Sequence, residues 1–148
     1  EVNVVTLMKK NNVIIGGEGN GGIIYPDSHY GRDALVGVAL FLSLLAEKQI
    51  KVSALRASYP SYFMSKKKIQ LTPTLDVDGI LTTMASNYSH EKLTTIDGVK
   101  IDFADSWVHL RKSNTEPIIR IYTEAPSQVA ADTLADRIIG EIKAIANI

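Results

Sequence analysis

Leu93–Tyr122, LTTIDGVKIDFADSWVHLRKSNTEPIIRIY, is the stretch that decides the fold. Leu93 to Ile96, Val99 to Phe103, Trp107 to Leu110 and Ile118 to Tyr122 read as four successive strands. Asp97-Gly98 predicts a hairpin between the first two, because both residues tolerate positive φ. Outward from this core, Tyr62 to Leu71 contains a further strand. Thr74 to Tyr88 carries Leu75, Ile80, Leu81 and Met84 on one helical face. Ser127 can cap a last helix that runs to about Ala146, with Val129, Leu134, Ile138, Ile142 and Ile145 as its apolar stripe. The order is β-α-β-β-β-β-α, with room for one strand to be no more than the arm of a turn. Helices segregated from antiparallel strands indicate an α+β domain, the helices on one face of the sheet.

The chain before this domain is organised differently. Asn3 to Lys10 is helical, with Val4, Val5 and Met8 on one side, and Val13 to Ile15 reads as a short buried strand. It enters Gly16-Gly17-Glu18-Gly19-Asn20-Gly21-Gly22, a glycine-rich loop that side chains cannot obstruct. Ile23-Ile24-Tyr25 resumes as a strand and Pro26 stops it. Asp33 to Lys48 is a helix capped by Asp33, with Leu35, Val38, Ala39, Leu42 and Leu45 at helical spacing. Ile50 to Tyr59 holds a short helix or turn, and Tyr59-Pro60-Ser61 reads as a domain joint. Residues 1–58 are therefore expected to be the tail of a mixed α/β domain, and 59–148 a complete second domain.

Composition narrows the class of function. Hydrophobic residues make up 45% of the 148 and charged residues 22%, enough apolar surface for a core. Sixteen basic side chains balance sixteen acidic ones, which argues against general attraction to nucleic acid or to membrane surfaces. Without cysteine there is no disulfide, cysteine zinc site or thiol chemistry. The longest apolar stretch, Ala34 to Ala46, is shorter than the roughly 20 residues of a spanning helix. The chain starts at Glu1 with no signal-like segment. The expectation is a soluble cytoplasmic protein cut from a longer chain.

The chemistry concentrates in Arg111-Lys112-Ser113-Asn114-Thr115-Glu116-Pro117, followed by Ile118-Ile119-Arg120. A phosphate dianion needs convergent donors. Arginine offers a planar fork, Ser113 and Thr115 offer hydroxyls, Asn114 an amide, and a tight turn can expose backbone N–H groups. Chemistry alone leaves a solvated polar hairpin turn equally open. The segment Arg-x-Ser-Asn-Thr-Glu-Pro-x-x-Arg resembles the phosphate loop in the last domain of the α-D-phosphohexomutases, the family of phosphoglucomutase, phosphomannomutase and phosphoglucosamine mutase. The resemblance implies phosphate contacts for Arg111, Ser113, Asn114 and Thr115, with Arg120 closing the motif. It also implies a C-terminal domain with a TATA-box-binding-protein-like antiparallel sheet flanked by helices.

A second match lies about 90 residues upstream. Gly17-Glu18-Gly19-Asn20-Gly21 is similar to the family's Gly-Glu-x-Ser-Gly sugar loop. A carboxylate can accept from two neighbouring sugar hydroxyls, so Glu18 is the residue expected to orient a hexose. Asn20 stands where Ser is usual and keeps both donor and acceptor capacity. That departure leaves the identity of the sugar open.

The resemblance implies a phosphoserine enzyme that interconverts hexose 1-phosphate and hexose 6-phosphate through a bisphosphorylated intermediate. Neither the family's serine loop nor its magnesium loop occurs in this sequence. No catalytic residue and no metal ligand is therefore expected in this chain. Mg²⁺ and a hexose bisphosphate activator belong to the intact enzyme, as do the missing N-terminal domains. Asp76-Val77-Asp78-Gly79 echoes the metal loop but reads better as a helix cap. Lys66-Lys67-Lys68 reads as an exposed strand or loop. His29, His90 and His109 show no ligand or triad spacing; His29 is near the sugar loop. A stand-alone phosphosugar-binding module is the first rival reading. A nucleic-acid-binding sheet is the second, disfavoured by balanced charge and few aromatics on the candidate strands.

Overall fold

The computed structural model describes residues 2–72, 75–113 and 115–148. The chain divides into two compact units, with the boundary between Tyr59 and Pro60.

In the first unit, α1 (Val2–Asn11) buries Met8 and half-buries Val4 and Val5. Asn12 follows it with φ 50°, and the Val13 N–H donates to Met8 O at 3.1 Å. These residues close the helix, which is why Val13 to Ile15 does not form the expected buried strand. All three are exposed. Strand β1 falls instead on Gly16–Gly17 and pairs antiparallel with β2 (Ile23–Tyr25), which pairs with β3 (His29–Arg32) through a bulge at Ile24/Tyr25. Helix α2 (Ala34–Lys48) begins at Asp33 as expected, the Val36 N–H donating to Asp33 Oδ1 at 3.0 Å. Its apolar residues are not buried: Leu35 is 82% exposed and Leu42 57%. The spacing alone could not show this, because the helix is apolar on nearly every side rather than on one stripe. A short helix, α3 (Val52–Ala57), buries Leu55 and ends the unit.

The second unit contains five strands and two helices: β4 (Phe63–Gln70), α4 (Val77–Asn87), β5 (Lys92–Thr94), β6 (Val99–Asp102), β7 (Trp107–Lys112), β8 (Ile118–Ala125) and α5 (Gln128–Ala146). The sheet is antiparallel throughout, in the order β4-β8-β7-β6-β5. Asp76 caps α4 by accepting the Gly79 N–H at 3.0 Å, so the helix starts later than the sequence pattern suggests. Thr74, the expected first residue, lies outside the described residues. The first hairpin also differs. Strand β5 stops at Thr94 and Ile96 is 74% exposed, so the connection spans Thr95 to Gly98 rather than two residues.

One face of this sheet is covered by α4 and α5. Ile69, Ile119, Ile121, Leu110, Val108 and Ile101 point into that core and meet Met84, Ile138 and Ile142. Two buried polar side chains fix α5 on it. Ser65 Oγ donates to Asp132 at 2.5 Å, and Thr123 Oγ1 to Ala131 O at 2.8 Å. The alternation of each strand leaves Lys68, Arg120, Arg111, Lys66, Tyr122 and His109 on the opposite face, among others.

Candidate functional site

The first loop is a hairpin connection built by backbone bonds. Glu18 N–H donates to Gly22 O at 3.0 Å and Gly21 N–H to Glu18 O at 3.0 Å, which leaves Gly19, Asn20 and Gly21 as a three-residue loop. Such loops close with a left-handed residue in third place, and Gly21 has φ +89°. Glu18 stands at the base of this turn. Asn20 Oδ1 accepts the Gly22 N–H at 2.9 Å, while its amide nitrogen donates to Glu18 Oε2 at 3.2 Å. Arg32 Nη1 lies 4.0 Å from the same carboxylate oxygen. Asn20 thus holds the turn and orients Glu18 at once. An open cleft of about 560 Å³ borders the loop, lined by Asn20, Gly21, Gly22, Arg32, Asp33 and Ala34.

His29, on β3, has a positioning role here. The Gly31 N–H donates to His29 Nδ1 at 2.9 Å, so that nitrogen is unprotonated and Nε2–H donates to Asp33 Oδ2 at 3.2 Å. The α2 backbone N–H on Asp33, then the His29 bond, holds that carboxyl below the usual carboxylate range.

The second loop connects β7 to β8. The Ser113 N–H donates to Ile118 O at 3.0 Å and Ile118 N–H to Glu116 O at 2.8 Å, while the Leu71 N–H ties Pro117 O to the end of β4 at 2.8 Å. The Thr115 N–H points to Ser113 Oγ at 3.4 Å. Ser113 Oγ lies 3.3 Å from Thr115 Oγ1. Arg111 and Arg120 are directly opposed across β7 and β8 at the root of the loop. Asn114 lies outside the described residues. Lys112 alternates to the other face, where Nζ donates to both Asp78 oxygens at 2.7 Å.

Sequence reasoning missed Asp97. It forms an ion pair with Arg111 at 2.7 Å, and its carbonyl accepts His109 Nε2–H at 2.6 Å. The available signal was the Asp97-Gly98 pair, legible as a turn but not as a partner. Gly98 has φ +75°, and a Cβ there would lie 2.1 Å from Leu110 O. That close approach is what brings Asp97 beside Arg111.

Among the described residues no group of three metal-ligating side chains comes together. Asp76 is a cap and Asp78 pairs with Lys112, so this stretch does not fit a metal site. No described helix is long and apolar enough to cross a membrane.

Two family models match the chain in sequence order. Residues 1–62 match the alpha/beta/alpha domain III of phosphoglucomutase/phosphomannomutase, and residues 62–141 match the C-terminal domain of the same proteins. The chain belongs to the phosphoglucomutase/phosphomannomutase family. It is 38% identical over 146 residues to a phosphoglucosamine/phosphogalactosamine mutase of Sulfurisphaera tokodaii, covering 97% of this chain and 31% of that protein. It is 39% identical over 130 residues to a phosphoglucomutase/phosphomannomutase of Thermococcus kodakarensis, covering 86% and 28%. A crystal structure of a family protein from Burkholderia thailandensis superposes with a TM-score of 0.71 at 25% identity, covering 95% of this chain and 30% of that one. The chain thus spans about a third of the length of these family relatives. The α+β architecture expected from the strand and helix pattern is the architecture of this family's C-terminal region.

Proposed function

We propose that this chain is the substrate-holding C-terminal portion of a phosphohexomutase that interconverts hexose 1-phosphate and hexose 6-phosphate. Glu18, oriented by Asn20, reads the sugar hydroxyls. Arg111, Ser113, Asn114, Thr115 and Arg120 hold the phosphate that is not reacting. The phosphoserine and the Mg²⁺ site belong to the preceding domains of the whole protein. A bisphosphorylated hexose is both the intermediate and the activator.

The observation that carries this reading is the root of the second loop. Arg111 and Arg120 are paired across adjacent strands, and two hydroxyls lie 3.3 Å from each other at the adjoining turn. Arg111 is 46% exposed in its ion pair with Asp97, so a ligand phosphate can reach the guanidinium while the carboxylate fixes its orientation. The chemistry asked of this region is geometric: grip either end of the bisphosphate equally well, so that the other end can be presented for transfer.

The exposed apolar surface of α2 supports the preceding domains as the intramolecular partner. Leu35, Val38, Phe41 and Leu42 are each more than 40% exposed, which is unusual for so apolar a helix unless more of the same domain packs against it.

In the whole protein, Arg111→Ala is expected to cost about 2 kcal/mol of substrate binding, a rise in KM of roughly thirtyfold. Steady-state kinetics on glucose, mannose and glucosamine phosphates measure it. An unchanged KM on all three removes Arg111 from the site. Absence of a phosphoserine loop in the coding sequence upstream of Glu1 would favour a stand-alone phosphosugar-binding module.

A further inference from the structure

On the open face of the second unit, three cross-strand rows differ in charge balance. One row joins Lys66, Tyr122, His109 and Lys100, and the next joins Glu124, Trp107 and Asp102. These rows are internally satisfied. Lys66 Nζ lies 5.6 Å from the Tyr122 ring centroid, and Lys100 Nζ lies 5.2 Å from the Trp107 centroid and pairs with Asp102. Trp107 Nε1–H donates to Glu124 at 3.1 Å.

The row nearest the phosphate loop is different. Lys68 on β4 is opposite Arg120 on β8, and Arg120 is opposite Arg111 on β7. Like charges directly opposed across strands are destabilising, and here two such pairs are consecutive. Among the described residues of the row only Arg111 has a carboxylate partner, Asp97. Among the described residues neither Lys68 nor Arg120 has an ion-pair partner, and both are exposed. The row lies two residues from the last ladder pair before the loop, Ile118 opposite Gln70, beyond which Pro117 O is bonded to Leu71 N–H. Adjacent strands are about 4.8 Å apart, so the three cations span roughly 10 Å, within the combined reach of their side chains.

We propose that Lys68 is a phosphate-binding residue, and that Lys68, Arg120 and Arg111 form a cationic rail which extends the loop's grip on a phosphate monoester dianion across β8 to the sheet edge. This rests on the reading that the loop between β7 and β8 holds phosphate. The unrelieved repulsion in the row is then offset when the anion arrives. Lys67 is excluded from the rail by the pleat, because its Nζ reaches Asp136 on the helix-covered face at 2.6 Å.

The sequence supplies a matched control. Lys66 and Lys68 share one strand, one face and one charge, but Lys66 sits over Tyr122 instead of beside Arg120. The test is an amide chemical-shift titration of the 148-residue chain with inorganic phosphate at low ionic strength, for wild type, Lys68→Gln, Lys66→Gln and Arg111→Ala. Lys68→Gln is expected to weaken phosphate binding about fivefold, the scale of an exposed ion pair, while Lys66→Gln leaves it within experimental error. Both positions are exposed on an edge strand, and matching melting curves verify the fold of each variant. Equal weakening by both substitutions, or none by Lys68→Gln, overturns the rail. If Arg111→Ala weakens binding and Lys68→Gln does not, the loop stands and only the rail falls. If the wild-type chain shows no saturable shifts at the loop, the phosphate reading fails and the rail with it.

Discussion

At the residue scale, Arg111 is positioned by a glycine in the connection between β5 and β6. Gly98 lets the β5–β6 connection approach β7 so closely that any side chain would strike Leu110 O. Asp97 is thereby held against Arg111, with His109 fastening its carbonyl. Gly98→Ala must accept both a left-handed backbone and a backbone collision, and is expected to destabilise the second unit by more than about 2 kcal/mol. Urea denaturation followed by tryptophan fluorescence of Trp107 measures it. A variant as stable as wild type would mean that this connection can shift freely, and that Arg111 is not positioned by it.

At the scale of elements, each long helix is started by a specific side chain. Asp33, Asp76 and Ser127 accept the N–H groups of Val36, Gly79 and Ala130 respectively. The Asp33 cap carries a pH dependence whose sign is fixed by its shift. The α2 N–H groups and His29 hold the Asp33 carboxyl below its unfolded value. Its contribution to stability is therefore complete above the unfolded carboxylate pKa and is lost as pH falls through the lower folded value. Protection factors of amides in the first turn of α2, taken against the intrinsic exchange rate at each pH, are expected to fall on acidification across that window. Asp33→Asn, which keeps a capping oxygen without the titration, should flatten the dependence. An unaltered acid response in the variant would assign it to another group.

Across the whole molecule, burial is distributed very unequally. The second unit encloses Ile101, Leu110, Ile119, Ile121, Ile138 and Ile142 with at most trace exposure, whereas no residue of α2 is buried. Native-state hydrogen exchange of the 148-residue chain is expected to show β8 and α5 amides opening only with global unfolding of the second unit. The α2 amides should exchange faster by orders of magnitude. Equal protection of α2 and β8 would show that α2 is already packed, and would remove a support for the proposal that preceding domains cover it.

Much of this was legible in the sequence, because the signals were local. Asp33, Asp76 and Ser127 are capping residues placed before apolar periodicities, and the four runs from Leu93 to Tyr122 became β5 to β8 with shifted ends. The two loops were legible through their resemblance to the family's phosphate and sugar loops, since the clustered glycine, arginine and hydroxyl residues by themselves read equally well as turns. What remained hidden depended on which residues lie opposite each other. Lys66-Lys67-Lys68 is one charge run in sequence, yet the pleat sends Lys67 to Asp136 and Lys68 to Arg120. Asp97 read as a turn residue until the register placed it against Arg111. Val13 to Ile15 read as a strand because apolar runs do not record whether a preceding helix will close over them. Composition, spacing and turn chemistry determined the elements, and motif resemblance the two candidate loops, since each depends on neighbours along the chain. Strand register and the packed face decided the partners of Arg111, Lys67 and Lys68, because those contacts join residues distant in sequence whose pairing no local pattern encodes.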